Sequence, residues 1–144
     1  MIKRATEEDV AAWLKLRVKL WPPTEEDDFQ GEILHIMQAV DQQAFLFFNE
    51  STCIGFIEMS IRNYADGCAT DKVAYVEGLY VEPAYRQQQV ATQLLKAGEQ
   101  WAKEKGCTEM ASDVEIGNDA SIAFHLSAGF QEVTRAVLFA RKLD

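Results

Sequence analysis

Asp71 to Val81 opens on a charged pair and then, from Val73, is a near-continuous apolar run that carries a single carboxylate, Glu77, and stops at Pro83. It is rich in β-branched and aromatic residues and reads as a strand. With strict alternation Val73, Tyr75, Glu77, Leu79 and Val81 share one face, and Ala74, Val76, Gly78 and Tyr80 share the other. Both faces are apolar, the pattern of a central strand covered on both sides. A turn follows, and then Val90 to Lys105 sets Ala91, Leu94, Leu95, Gly98, Trp101 and Ala102 on one side at helical spacing, with Gly106 as the stop. A buried strand that feeds a helix in this way limits the rest of the chain. It must supply neighbouring strands and further helices.

The remaining sequence reads as doing so. Ile2 to Ala5 is a short strand. Thr6 caps a helix, with Asp9 three residues on, and Val10, Trp13, Leu14, Arg17, Val18 and Trp21 follow at near-helical spacing until Pro22-Pro23. Thr24 is expected to begin a second helix, acidic in its first turn, with Phe29, Ile33, Ile36, Met37 and Val40 on its apolar face. Ala44–Phe48 and Cys53–Ile61 form a hairpin around Asn49-Glu50-Ser51-Thr52. Cys107–Asp113 is a strand, Asn118–Ala128 a helix stopped by Gly129, and Val133–Lys142 a final strand. Hairpins and helical crossovers together imply an α+β chain with a mixed sheet. No repeat or linker divides residues 1–144, so one domain is expected.

The net charge of -9 repels nucleic acid and anionic membrane and attracts cations. Cys53, Cys68 and Cys107 form no C-x-x-C pair, and His35 and His125 are the only histidines, so neither a disulfide framework nor a metal site is expected. The N-terminus does not read as a signal peptide and no run is long enough to cross a bilayer, so a cytoplasmic setting is expected.

Three features depart from plain core packing. Glu77 is a carboxylate in a buried strand, and such a group needs either a structural ion pair or a functional purpose. Gly78 beside it suggests a bulge or a close ligand approach. The strand-to-helix turn, Glu82-Pro83-Ala84-Tyr85-Arg86-Gln87-Gln88-Gln89, leads into a helix N-terminus whose free N–H groups suit a phosphate, with Arg86 adding charge; an ordinary surface turn is the alternative. Asp113 ends a strand, where ligands of open sheets tend to bind, though a turn or cap aspartate fits the same position.

Tyr80-Val81-Glu82-Pro83-x-x-Arg86-x-x-x-Val90-Ala91-x-x-Leu94-Leu95 resembles the acetyl-CoA motif of the GNAT superfamily of N-acetyltransferases, and Asn118 to Phe130 resembles their later motif. Lys19-Leu20-Trp21-Pro22, Ser60-Ile61-Arg62, Glu77-Gly78-Leu79-Tyr80-Val81, Glu99-x-Trp101-Ala102 and Glu109-Met110-Ala111-Ser112-Asp113 resemble the aminoglycoside 6'-N-acetyltransferase branch. The resemblance implies a mostly antiparallel, twisted mixed sheet flanked by about four helices. It implies acetyl-CoA as cosubstrate, a polycationic aminoglycoside as acceptor and a homodimer. Leu79, Tyr80 and Val81 would lie along the pantetheine arm. Gln87, Gln88, Gln89, Val90, Ala91 and Thr92 would wrap the pyrophosphate, near Arg86, and Asn118 would also touch the cofactor. Trp21, Tyr64, Glu77 and Asp113 would line the acceptor pocket. The superfamily loop usually has glycine where Gln89 stands: if the path needs positive φ, a glutamine there costs about 1–2 kcal/mol, and if it stays helical the cost is small and the side-chain amide can itself donate to phosphate. His125 stands where many members place a tyrosine thought to protonate the leaving thiolate. Histidine can do this, and a packing role is the alternative.

The resulting expectation is direct attack of a neutral amine on the thioester, with Glu77 and Asp113 holding the cation and taking its proton. Two rivals remain at this stage. One is the same chemistry on a polyamine or a peptide lysine. The other is an acetyl-CoA-binding module that has lost turnover, suggested by Gln87-Gln88-Gln89. The apolar C-terminal segment Ala136–Ala140 would serve as an exchanged or paired edge of the dimer.

Overall fold

A computed structural model describes residues 1–144. Its centre is a five-stranded sheet in the order β1 (Ile2–Arg4), β2 (Gln42–Asn49), β3 (Thr52–Arg62), β4 (Val73–Val81), β5 (Glu109–Ser112). The first four strands run antiparallel, and β5 joins β4 in parallel. The expected mixed sheet is therefore present, with its single parallel pair bought by the crossover helix α3 (Val90–Glu104).

α3 packs on one face of the sheet. Leu94, Leu95, Trp101 and Ala102 bury against Ile57, Met59, Ala74, Val76 and Val81. Gly98 lets the helix close on Met59, because a Cβ there would press on the methionine sulfur. The other face carries α1 (Val10–Leu20) and α2 (Phe29–Gln38), whose Trp13, Leu16, Ile33 and Ile36 bury against Ala44, Leu46 and Phe56. α1 is launched by Asp9, whose carboxylate accepts from both the amide and the hydroxyl of Thr6. α4 (Asp119–Ser127) follows β5 and buries none of its residues.

The structure corrects three expectations. The second helix begins at Phe29, not Thr24: Asp27 accepts from the Thr24 amide and hydroxyl, Asp28 caps Gly31, and the acidic stretch becomes a capping loop. Val40 lies beyond that helix and is exposed. The alternation of β4 also breaks. Glu58 of β3 faces Gly78, yet Met59 faces Val76, so Glu77 is a bulge residue with no partner across β3. Ala74 and Val76 before it, and Leu79 and Val81 after it, therefore pack toward α3, while Tyr75 and Tyr80 pack elsewhere. The third correction concerns Val133–Lys142, which forms no strand within this chain. No backbone hydrogen bond reaches beyond Phe130, and Val137, Leu138 and Phe139 stand 74, 90 and 91% exposed.

Candidate active site

β4 and β5 pair only from Val73–Glu109 to Val76–Ser112, and then part. From Glu77 to Val81 the β5 side of β4 is an open edge, so backbone groups of Leu79, Tyr80 and Val81 are available to an extended ligand. At the far end of this gap sits the turn into α3. Gln87 and Gln89 adopt left-handed backbone with φ of 63° and 68°, and Gln89 is the N-cap. No backbone carbonyl accepts from Gln87 through Thr92. Alternating left-handed residues before a helix N-terminus make a concave nest of N–H donors that suits a pyrophosphate. The path does require positive φ at Gln89, and the chain accepts that strain there. Arg86 donates Nε to the Val81 carbonyl at 2.9 Å, so it ties the turn to the strand end while leaving its other nitrogens free.

On the α1/α2 side lies a cleft of roughly 850 Å³. It is walled by Trp21 and Phe29, and five carboxylates line it: Asp27, Asp28, Glu32, Glu58 and Glu77. Arg17 is the one guanidinium among them, so the cleft carries net negative charge. The Trp21 ring lies over Gly78, where any Cβ would overlap it.

Glu77 belongs to both regions, since the bulge places it at the head of the gap and on the wall of the cleft. It is not a bare base. Arg62 grips it with Nε and Nη2 at 2.9 and 2.7 Å, and the Ser60 hydroxyl donates at 2.5 Å. The bond from Glu77 raises the Arg62 pKa above its ordinary value. Arg62 also stacks on the Tyr75 ring, 3.5 Å from its centroid. The Tyr75 hydroxyl in turn donates to Asp113 Oδ2 at 2.5 Å, and burial together with that carboxylate pushes the tyrosine pKa upward. Asp113 is exposed and no protein group donates to its other oxygen. Of the two acids, Asp113 has the freer lone pairs.

His125 lies on α4 with Nδ1 2.8 Å from the Ser121 carbonyl and Nε2 2.8 Å from Ser112 Oγ. A carbonyl only accepts, so Nδ1 carries a proton and neutral His125 accepts from Ser112 through Nε2. Ser112 is the last residue of β5, at the mouth of the gap. Asn118 caps α4, its Oδ1 accepting from the Ser121 amide at 3.3 Å. Of the four residues expected to line the acceptor pocket, Trp21 and Glu77 line the cleft and Tyr64 and Asp113 do not; Asp113 joins it only through Tyr75 and Arg62. Tyr64 is 67% exposed and donates to Asp66. No group of three or more histidine, cysteine or acidic residues is arranged to hold a metal ion.

The model of the acetyltransferase (GNAT) family matches residues 10–130. The chain belongs to the GNAT acetyltransferases. It is 41% identical over 139 residues to aminoglycoside N(6')-acetyltransferase type 1 of Klebsiella aerogenes, covering 94% of this chain and 91% of that one. It is 40% identical over 144 residues to the enzyme of the same name from Acinetobacter haemolyticus, covering 99% of each. These relatives place it in the aminoglycoside N(6')-acetyltransferase family. Among solved structures it resembles AAC(6')-Iy in complex with the bisubstrate analogue CoA-S-monomethyl-acetylneamine, with TM-score 0.94, 34% identity and 99 and 98% coverage. The apo structure of AAC(6')-IG from Acinetobacter haemolyticus gives TM-score 0.92, 39% identity and 100 and 99% coverage.

For this GNAT chain, sequence reasoning missed Arg17, Glu58, Arg62, Tyr75 and Ser112 as site residues. Glu58 was open to discovery, because it interrupts the apolar strand Cys53–Ile61 as Glu77 interrupts β4. Nothing in the sequence marked Tyr75 as the partner of Asp113, which lies 38 residues away.

Proposed function

We propose that this protein transfers the acetyl group of acetyl-CoA to the 6'-amine of an aminoglycoside by direct attack of the amine on the thioester. The observation that carries the proposal is the position of Glu77, where a gap that leads from a phosphate nest opens beside an acidic, aromatic-walled cleft. The GNAT membership and the relatives' printed activity support both substrates.

In this reading Leu79, Tyr80 and Val81 hold the pantetheine arm. The amides of Gln87 to Thr92 hold the pyrophosphate, with Arg86 and Asn118 at the rim. Trp21 and Glu77 bind the acceptor, and Asp113 takes the ammonium proton directly or through water. The amine nitrogen then bonds to the carbonyl carbon. A β4 backbone N–H meets the oxyanion, and the carbon–sulfur bond breaks on collapse. The thiolate takes the Ser112 hydroxyl proton as Ser112 takes one from Nε2 of His125 in its protonated form, which leaves the neutral Nδ1–H ring, and solvent restores the imidazolium. Glu77 acts chiefly through position, since Arg62 and Ser60 already occupy its oxygens.

The test is CoA release from acetyl-CoA with kanamycin or tobramycin, run beside spermidine and a lysine peptide. Turnover confined to the aminoglycosides supports the proposal. Turnover only with spermidine or the peptide, or none at all, overturns it.

We further infer a cytoplasmic homodimer. All three cysteines are free, which goes with a reducing compartment. β5 has an unpaired outer edge, α4 buries nothing, and residues 131–144 carry apolar side chains with no backbone partner in their own chain. A second copy that lends its C-terminal segment to this edge satisfies all three at once, reciprocally about a two-fold axis.

A further inference from the structure

Arg17 is 6% exposed and Glu58 2%, and the mechanism above uses neither. Their pairing is bidentate, with Arg17 Nε to Glu58 Oε2 at 2.7 Å and Nη2 to Oε1 at 3.0 Å. Trp13 Nε1 adds a third bond to Glu58 at 2.9 Å. The remaining guanidinium nitrogen, Nη1, donates to Glu32 of α2 at 2.8 Å. The guanidinium carbon, Cζ, sits over the Trp21 ring and over the Phe29 ring, 4.9 Å from each centroid. One side chain on α1 thus touches β3 through Glu58, α2 through Glu32 and Phe29, and the indole that covers Gly78.

Hydrophobic packing alone does not explain an ion pair at this depth, because apolar replacements of a buried pair are often as stable or more so. The geometry supplies a reason to keep it. A guanidinium has five donors in one plane, so fixing its edges on Glu58 and Glu32 also fixes the plane of its faces. Those faces set the tilt of Trp21 and Phe29, the two aromatic walls of the acidic cleft. We propose that Arg17, locked by Glu58, is a positioning residue that sets the acceptor site of this enzyme by orienting Trp21 and Phe29. The proposal rests on the cleft being the acceptor site. It predicts no effect on the phosphate nest, which lies past Val81, beyond the C-terminal end of β4.

The experiment compares Arg17→Lys with the triple variant Trp13→Phe/Arg17→Met/Glu58→Met. Lysine keeps the charge opposite Glu58 but loses the planar fork and both stacks. The triple variant removes Arg17, Glu58 and the Trp13 donor together, so no buried charge is left alone, and the one partner that stays, Glu32, is half exposed. KM for tobramycin and KM for acetyl-CoA are measured separately, and 19F NMR of 5-fluorotryptophan-labelled protein, with the Trp21 signal assigned from Trp21→Phe, reports the indole. The expected result for each folded variant is a tobramycin KM raised about tenfold, an acetyl-CoA KM within about twofold of wild type, and a shifted or broadened Trp21 signal. An unchanged tobramycin KM and Trp21 signal, an equal rise in both KM values, or failure of both variants to fold overturns the proposal. Absence of tobramycin turnover in the wild type would instead overturn the functional reading itself.

Discussion

Gly78→Ala isolates the contact between β4 and the cleft proposed for the acceptor. The added methyl falls on the six-membered ring of Trp21, with Leu20 Cδ2 only 3.2 Å away. The indole has little room to retreat. Phe56 lies 6.3 Å off by ring centroid, and the Arg17 guanidinium covers it at 4.9 Å. Overpacking of this kind costs about 1–3 kcal/mol, partly offset by about 0.5–1 kcal/mol because alanine loses less backbone freedom than glycine in a strand. The net is about 0.5–2 kcal/mol, or roughly 2–8 °C in Tm for a domain of this size. The functional effect should exceed the stability effect and fall on one substrate. Displacing the indole raises aminoglycoside KM, while acetyl-CoA KM stays near wild type because the methyl points away from the β5 edge. A double-mutant cycle with Trp21→Phe makes the argument specific. The smaller ring should relieve the clash, so the two stability losses sum to more than the loss in the double variant. Differential scanning fluorimetry and two-substrate kinetics read both quantities. Wild-type Tm and aminoglycoside KM in Gly78→Ala, or strict additivity with Trp21→Phe, would refute the placement of Trp21 on Gly78.

Asp113→Asn is expected to cut aminoglycoside turnover sharply with acetyl-CoA binding intact by calorimetry, whereas Tyr75→Phe should lose about 1 kcal/mol of stability and a smaller part of the turnover. Phe139→Asp or truncation after Phe130 should shift the sedimentation profile from dimer to monomer; a wild-type protein that already sediments as a monomer refutes the exchanged-segment reading. Acid stability should depend on Asp9. Burial raises its pKa, but the Thr6 amide and hydroxyl and Lys3 outweigh that, so it lies below 3.8 in the folded chain. A depressed folded pKa contributes stability above the unfolded value, and that contribution is lost as pH falls through the folded pKa. Asp9→Asn should therefore lower Tm by the equivalent of about 1 kcal/mol near neutrality and converge with wild type as the pH falls below 3.8.

The local elements were legible because their signals are local. Pro22-Pro23 does end α1, Gly106 does end α3 with φ of 86°, and the apolar stripe of α3 does face the sheet. The nest was legible because it lies within one turn of chain, but the motif left both a helical and a left-handed path open at Gln89, and the structure takes the left-handed one. What escaped depends on pairing at a distance. Strict alternation assigned Glu77 the same face as Leu79 and Val81, and one extra residue in β4 relative to β3 undid that assignment. The capping loop at Thr24–Asp28 resembled a helix start because the same acidic residues satisfy either form.

That slip in β4 also accounts for how the site is built. An unbulged β4 would keep Val76 and Gly78 on one face and direct Glu77 with Leu79 into the α3 core, where neither Ser60 nor Arg62 could reach it. The bulge instead turns Glu77 toward the cleft and Gly78 under Trp21, and it does so where β5 has just let go of β4. Local twist at a bulge favours such a parting, so under the proposed function one inserted residue serves both substrates: it opens the strand edge to the thioester and faces an acid to the amine. Deleting Glu77, unlike replacing it by glutamine, should restore regular pairing. The deletion is expected to retain a folded sheet by circular dichroism but to lose both acetyl-CoA binding and aminoglycoside binding, whereas Glu77→Gln loses chiefly the second.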